Sequence, residues 1–256
     1  MSSQTIAFFG ATGGCAGYAL SNTLKAGYTC TALARTPAKL TQSMKEKGVP
    51  TDVLDRQLTI IQGNIKDIEA VKQTLRLEGR VVDTIVSGIG GTPVLQWSLW
   101  YPVTLTDPTI CQDAGRTILQ ALMELKPAKK PTLINVSTTG ISPQGYPRDV
   151  PLAFVPLYHW LLHVPHEDKR VLEQMLTEHI RIPENERFLS AYVNIKPSLL
   201  LDGEGKGLET VRQGVDEAPA VGYTIQRGDV GTFIFERLIR NGVKAEQMNK
   251  SLSITY

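Results

Sequence analysis

In the stretch GATGGCAGYAL, Gly10, Gly13 and Ala16 follow the spacing Gly-x-x-Gly-x-x-Ala. That order suits a backbone that binds a pyrophosphate. Gly10 can turn the chain sharply, Gly13 lets amides approach a phosphate with no Cβ in the way, and Ala16 lets the next helix pack close to a strand. Thr12, Gly14 and Cys15 fill the same turn, and the helix starting there offers its unpaired N–H groups and positive dipole end to the phosphates. The plainer alternative is a glycine-rich turn that merely joins strand to helix. Further on, Ala34-Arg35-Thr36 stands where a site for an unphosphorylated ribose carries a carboxylate. Arg35 can fork onto a 2′-phosphate and stack on adenine, and Lys39 adds a second positive charge one helical turn later. The pair points to NADP(H), against the alternative of a solvated arginine at a strand end.

The four histidines all fall between His159 and His179. His159 and His163 would share a helix face, yet no cysteine or carboxylate lies at a third-ligand spacing, so no metal site is expected. His166 follows Pro165 at an expected helix start, where imidazole tends to stay neutral and available as a base; a surface or capping histidine is the alternative. Three cysteines, Cys15, Cys30 and Cys111, read as reduced thiols.

These residues need a scaffold, and the chain supplies alternating short apolar runs and helix-length amphipathic segments. Strands are expected at Thr5–Phe9, Thr29–Ala34, Leu58–Ile61, Val82–Val86 and Thr132–Val136, with helices near 14–25, 37–45, 68–77 and 108–125. The runs at Ile6–Phe9, Thr84–Val86 and Leu133–Val136 are apolar on successive residues, as in strands covered on both faces. The fold class that follows is α/β: a doubly wound parallel Rossmann sheet with helices on both faces. From Ser137 to Pro165 the regularity fails, with five prolines and four aromatic residues. A helical pattern then starts near His166, strands are expected at Ala191–Ile195 and Tyr223–Ile225, and a helix over Asp229–Ile239 precedes an alternating segment at Ser251–Tyr256. We expect a single domain over 1–256, with 138–165 and 197–222 forming a small substrate lobe.

Composition narrows the partners. Hydrophobic residues make up 42% and charged residues 20% of 256 residues, with a net charge of +2. Such a chain can bury its own core, and it lacks the basic footprint of a nucleic-acid binder. No signal-peptide pattern or membrane-length apolar run appears, so no membrane association and a cytoplasmic location are expected.

The segments GATGGCAG, ALARTPAKL, IIQGNIKD, TIVSGIGG and LINVSTTGIS together resemble the atypical short-chain dehydrogenase/reductase branch, in particular the NmrA-like NAD(P)-binding proteins. The likeness continues through PHEDKRVLEQML, VNIKPSLLLDG and IQRGDVGTFIFERLI. It implies that Asn64 and Ile65 flank the adenine, with asparagine where the family usually has aspartate. It places Ser87, Gly88 and Ile89 under the ribose and nicotinamide, and Pro197, Ser198, Leu199 and Leu200 over the nicotinamide.

Catalytic members of that superfamily use a tyrosine, a lysine four residues later and a serine on the fifth strand. By resemblance Ser137 is that serine and Lys169 the lysine that holds the ribose, but Pro165 stands in the tyrosine's place. Tyr158 and His166 are the remaining candidate proton donors beside Lys169 itself. A lysine paired with Glu173 on the exposed helix is the alternative for Lys169, and a turn-capping hydroxyl that for Ser137.

Trp97, Trp100, Tyr101, Tyr146, Phe154, Tyr158 and Trp160 fall in the two loops expected to wall the cleft. They suit an apolar, bulky small-molecule substrate, or else a lid or subunit contact. The expected function is NADP(H)-dependent hydride transfer by a monomer or homodimer. The alternatives are a dinucleotide sensor acting through a protein partner and a redox-neutral cyclase or isomerase that keeps the dinucleotide as scaffold.

Overall fold

The computed structural model describes residues 4–98, 100 and 102–256, with Leu157 and His159 described by backbone alone. Tyr101 therefore lies outside the described residues, as does the side chain of His159.

One sheet of eight strands organises the molecule. In chain order its members are β1 (Ile6–Phe9), β2 (Cys30–Ala34), β3 (Leu58–Gln62), β4 (Thr84–Ser87), β5 (Thr132–Val136), β6 (Ala191–Pro197), β7 (Arg212–Val215) and β8 (Lys250–Thr255). Their spatial order is β7-β8-β6-β5-β4-β1-β2-β3, parallel throughout except for β7, which runs antiparallel to β8 at the edge. The order in which strands are added thus reverses between β1 and β4, which opens a crevice at their carboxyl ends.

Neighbouring residues of β1 go to opposite faces. Ile6 and Phe8 join a core with Leu20 and Leu24 of α1 (Gly14–Lys25) and Phe233 of α8 (Arg227–Phe233). Ala7 and Phe9 join a second core with Val71 of α4 (Ile68–Thr74), Ile118 and Leu122 of α5 (Ile110–Leu125), and Leu172 and Leu176 of α7 (His163–Arg181). Helices on both faces explain why the inner strands are apolar without alternation. Two more helices, α2 (Pro37–Glu46) and α3 (Thr51–Gln57), follow β2.

Several stretches carry more structure than their sequence suggests. Within 90–106, Pro93–Leu95 pairs antiparallel with Val103–Leu105. The proline-rich stretch holds α6 (Val155–Leu161), and α7 begins at His163. Pro165 is accommodated because it sits in the first turn, where its missing N–H has no intrahelical acceptor. In the C-terminal third, Leu199–Leu201 pairs with Thr224–Gln226, while Arg212–Val215 extends the central sheet.

Candidate functional site

The glycine turn sits at the carboxyl end of β1. Gly10 has a φ of +77°, and a Cβ there would stand 2.7 Å from the Gly88 carbonyl carbon, so both conformation and space favour glycine. The Gly13 amide donates to Gly10 O at 3.0 Å and closes the turn. α1 starts at the next residue with no side-chain cap and no acid in its first turn, leaving its positive end open to an anion. A Cβ on Gly88 would come within 2.6 Å of the Ala16 Cβ, so strand end and helix start touch. This tightness matches a cradle in which backbone, rather than side chains, meets the ligand.

Two cavities of about 370 Å³ each lie on either side of this turn. The first, over β1 and β2, is lined by Gly10, Thr12, Gly13, Arg35, Lys39, Asn64, Ile65, Gly88 and Ile89. Arg35 and Lys39 are exposed at its rim. Asn64 is turned into its own loop, with Oδ1 accepting the Lys66 amide at 3.1 Å. Lys66 then bridges Asp107 and Asp113 at 2.7 and 3.0 Å, tying this loop to the start of α5.

The second cavity, over β4 to β6, is lined by Gly14, Cys15, Ala16, Gly88, Ile89, Ser137, Tyr158, Lys169, Pro197, Ser198, Leu199 and Arg227, with Thr138, Leu162 and Leu200 alongside. Ser137 follows β5, its amide donating to Ile195 O at 2.7 Å. Its hydroxyl is buried with no hydrogen-bond partner among the described residues. Lys169 does not pair with Glu173; its Nζ reaches across to Val136 O at 2.9 Å. α7 is held in the required rotation by its neighbour Asp168, whose carboxylate accepts the Cys111 and Gln112 amides at 2.9 and 3.0 Å and so caps α5. Ser198 faces away into a hydroxyl contact with Thr255 at 2.8 Å.

Other expected residues stand elsewhere. Ser87 ends β4, buried inside the sheet, and lines neither cavity. His166 is buried behind the second cavity, its ring 5.2 Å from that of Tyr158. Of the described aromatic side chains singled out above, Tyr158 lines the second cavity, Tyr146 lines a separate one, and Trp97 and Trp100 stand almost fully exposed.

Charge in the second cavity is positive. Burial pushes the Cys15 thiol up to about 12 despite the charges of Arg227 and Lys169, both of which act on it. Burial raises the Tyr158 phenol above its ordinary value, partly offset by the Thr139 hydroxyl.

Arg227 joins the site although its place in the sequence gives little sign of it. It starts α8 and lies over the glycine turn, where a Cβ on Gly14 would meet its Cδ at 2.0 Å. Its Nη1 donates to Asp202 at 2.6 Å. The only signal was the arginine within IQRGDVG, at an expected helix start far from the glycines in sequence. The sequence suggests Glu173 only as a surface partner of Lys169, yet it is buried.

A family model for NAD(P)H-binding proteins matches residues 10–240. A protein named reductase pytE from Aspergillus terreus is 47% identical, the match covering all of this chain and 99% of that protein. One named oxidase pynE from Aspergillus niger is 38% identical over 94% of this chain and 95% of its own. Among solved structures, a short-chain dehydrogenase/reductase from Veillonella parvula in complex with NADP superposes with a TM-score of 0.68 at 17% identity, covering 99% of this chain and 94% of that one.

Proposed function

Because the chain belongs to the NAD(P)H-binding oxidoreductase family, we propose that it uses NADP(H) to move hydride to or from a carbonyl, alcohol or activated double bond of an apolar small molecule. One observation carries this reading. Ser137, Tyr158 and Lys169 converge on one cavity, Arg35 and Lys39 on the other, and the glycine cradle lies between them.

The residues present fit a dinucleotide. The uncapped amides of α1 and Arg227 would hold the pyrophosphate, Arg35 and Lys39 the 2′-phosphate, and Lys169 the ribose. Bound NADPH would supply a hydride at the nicotinamide. Ser137 would orient the substrate oxygen, Tyr158 would wall the site, and Ile89, Leu162, Pro197 and Leu200 give that end an apolar lining. Segments 138–165 and 197–222 would enclose the substrate, and three buried free thiols suit a reducing cytoplasm.

Pro165 in place of a tyrosine favours a second reading, in which the dinucleotide is sensed and the exposed Trp97 and Trp100 face a protein partner. Titration of protein fluorescence with NADPH and NADH tests the cofactor assignment. NADPH should bind at least about tenfold tighter, and Arg35→Ala should remove most of that preference. Equal affinities in the wild type would overturn the assignment to NADP(H).

A further inference from the structure

Lys196, near the end of β6, is fully buried, and its ammonium is engaged from two directions. From the segment that follows β5, the Asp149 carboxylate lies 3.4 Å away and the Ser142 hydroxyl accepts a hydrogen bond at 3.3 Å. From the segment that follows β7, the Asp216 carboxylate accepts one at 2.9 Å. The two segments that would enclose the substrate, 138–165 and 197–222, therefore meet on one cation of the central sheet. Glu173 of α7, which lines the separate cavity with Tyr146 and Asp216, adds a third carboxyl to its surroundings. Burial alone would lower the Lys196 pKa, but Glu173, Asp149 and Asp216 outweigh it and hold the group above its ordinary value, so the ammonium stays charged.

The Asp149 contact leads on to the second dinucleotide cavity. While Oδ2 of this carboxylate faces Lys196, its Oδ1 accepts the Gly140 amide at 2.9 Å. Gly140 has a φ of +85°, and a Cβ there would stand 2.4 Å from Tyr158 Cδ1 and 3.0 Å from His166 Cε1. The Tyr158 ring thus lies directly against the Gly140 backbone. Phe154 stacks on that ring at 5.9 Å and His166 meets it edge-on at 5.2 Å. Just upstream, the Ser137 and Thr139 amides donate to Ile195 O and Pro197 O at 2.7 and 3.1 Å, which fastens this stretch to β6 on either side of Lys196. Tyr158 is itself buried and lines the cavity with Ser137 and Lys169. Every link from Lys196 to that wall is a direct contact.

We propose that Lys196 is a positioning residue of the site: through Asp149 and the Gly140 amide it seats the Tyr158 ring at the cavity wall, while Asp216 ties the opposite segment to the same point. The inference deepens the oxidoreductase reading and rests on it for the consequence on rate. Lys196 lines neither of the two dinucleotide cavities, so it acts only through these contacts. Stability gives a weaker reason for the arrangement, because an apolar side chain of similar length would fill the same space without the desolvation penalty of a buried charge. What the ion pair adds is direction. A carboxylate held at one oxygen by a cation presents the other to Gly140 at a fixed place, and the glycine in turn fixes the ring.

Fluorine NMR of the fluorotyrosine-labelled protein without cofactor reads the placement, the Tyr158 resonance being the one that Tyr158→Phe removes. It should shift in Lys196→Met, in Asp149→Ala and in Gly140→Ala, the last displacing the ring without touching Lys196. Asp149→Asn, which keeps an acceptor for the Gly140 amide, should shift it less. The resonance of Tyr28, packed against Phe235 in the other core, should stay in place and so exclude general unfolding. Should Lys196→Met not fold, the two Asp149 variants carry the comparison. In single-turnover oxidation of bound NADPH by bulky aromatic and alicyclic carbonyl compounds, Asp149→Ala and Tyr158→Ala should each slow the step by about tenfold or more with little change in NADPH affinity, and the double variant should be no slower than Tyr158→Ala alone. A Tyr158 resonance unmoved in Asp149→Ala, or rate losses that multiply in the double variant, overturns the positioning role and leaves the oxidoreductase reading standing. A wild type whose NADPH no compound oxidises overturns that reading, while the fluorine spectra still decide whether Lys196 seats Tyr158.

Discussion

Arg227 occupies the space in front of Gly14: a Cβ on that glycine would stand 2.0 Å from Arg227 Cδ and 3.0 Å from its Nε. Two residues far apart in sequence are thereby brought together, with the guanidinium beside the uncapped first turn of α1. Arg227→Ala should weaken NADPH and NADH equally, by about tenfold to a hundredfold, the worth of a charge-assisted hydrogen bond. Fluorescence titration of both dinucleotides checks this. A loss confined to NADPH would instead place Arg227 at the 2′-phosphate.

Asp168 links α7 to the start of α5 through two buried amide bonds, and Lys169 is its neighbour. Replacing it with alanine leaves the Cys111 and Gln112 amides without their acceptor. Urea denaturation should show Asp168→Ala destabilised by about 2 to 3 kcal/mol. NADPH affinity should fall as well, because the rotation of α7 that aims Lys169 at Val136 O depends on that cap. An unchanged midpoint would show that the cap does not hold the helix.

Asp83 provides a pH-dependent contribution away from the site. Burial alone would raise its pKa, but Lys129, the Thr5 amide and hydroxyl, and Arg80 together hold it well below the usual carboxylate range. A depressed folded-state value means that the stabilisation is fully present above the unfolded pKa of about 4 and is lost as pH falls through the folded value. Asp83→Asn should therefore lower the melting temperature at neutral pH, and the gap to wild type should narrow steadily below about pH 4. A gap independent of pH would mean that the side chain acts through packing alone.

The parts of this site built from consecutive residues could be read from the sequence. Gly10, Gly13 and Ala16 announce their turn because glycine conformation and helix–strand packing are local requirements. The continuous apolar runs of β1, β4 and β5 announce a sheet covered on both faces. Arg227 and Glu173 could not be read this way. Arg227 reaches Gly14 only because α8 packs beside α1. Glu173 looks like a partner for Lys169 until the rotation of α7, set by Asp168, sends the two side chains into different cavities. The strand pairing of Arg212–Val215 with β8 was equally hidden, since RQGV carries little apolar pattern and its position depends on a long-range edge contact.

The measurement that bears most directly on the account is single-turnover absorbance of NADPH bound to the protein, mixed with a panel of bulky aromatic and alicyclic carbonyl compounds, in the wild type and Lys169→Ala. At least one compound should oxidise the cofactor, and the variant should slow that step by about a hundredfold or more. Tight NADPH binding with no consumption by any compound would contradict hydride transfer and leave the dinucleotide as a signal or a scaffold.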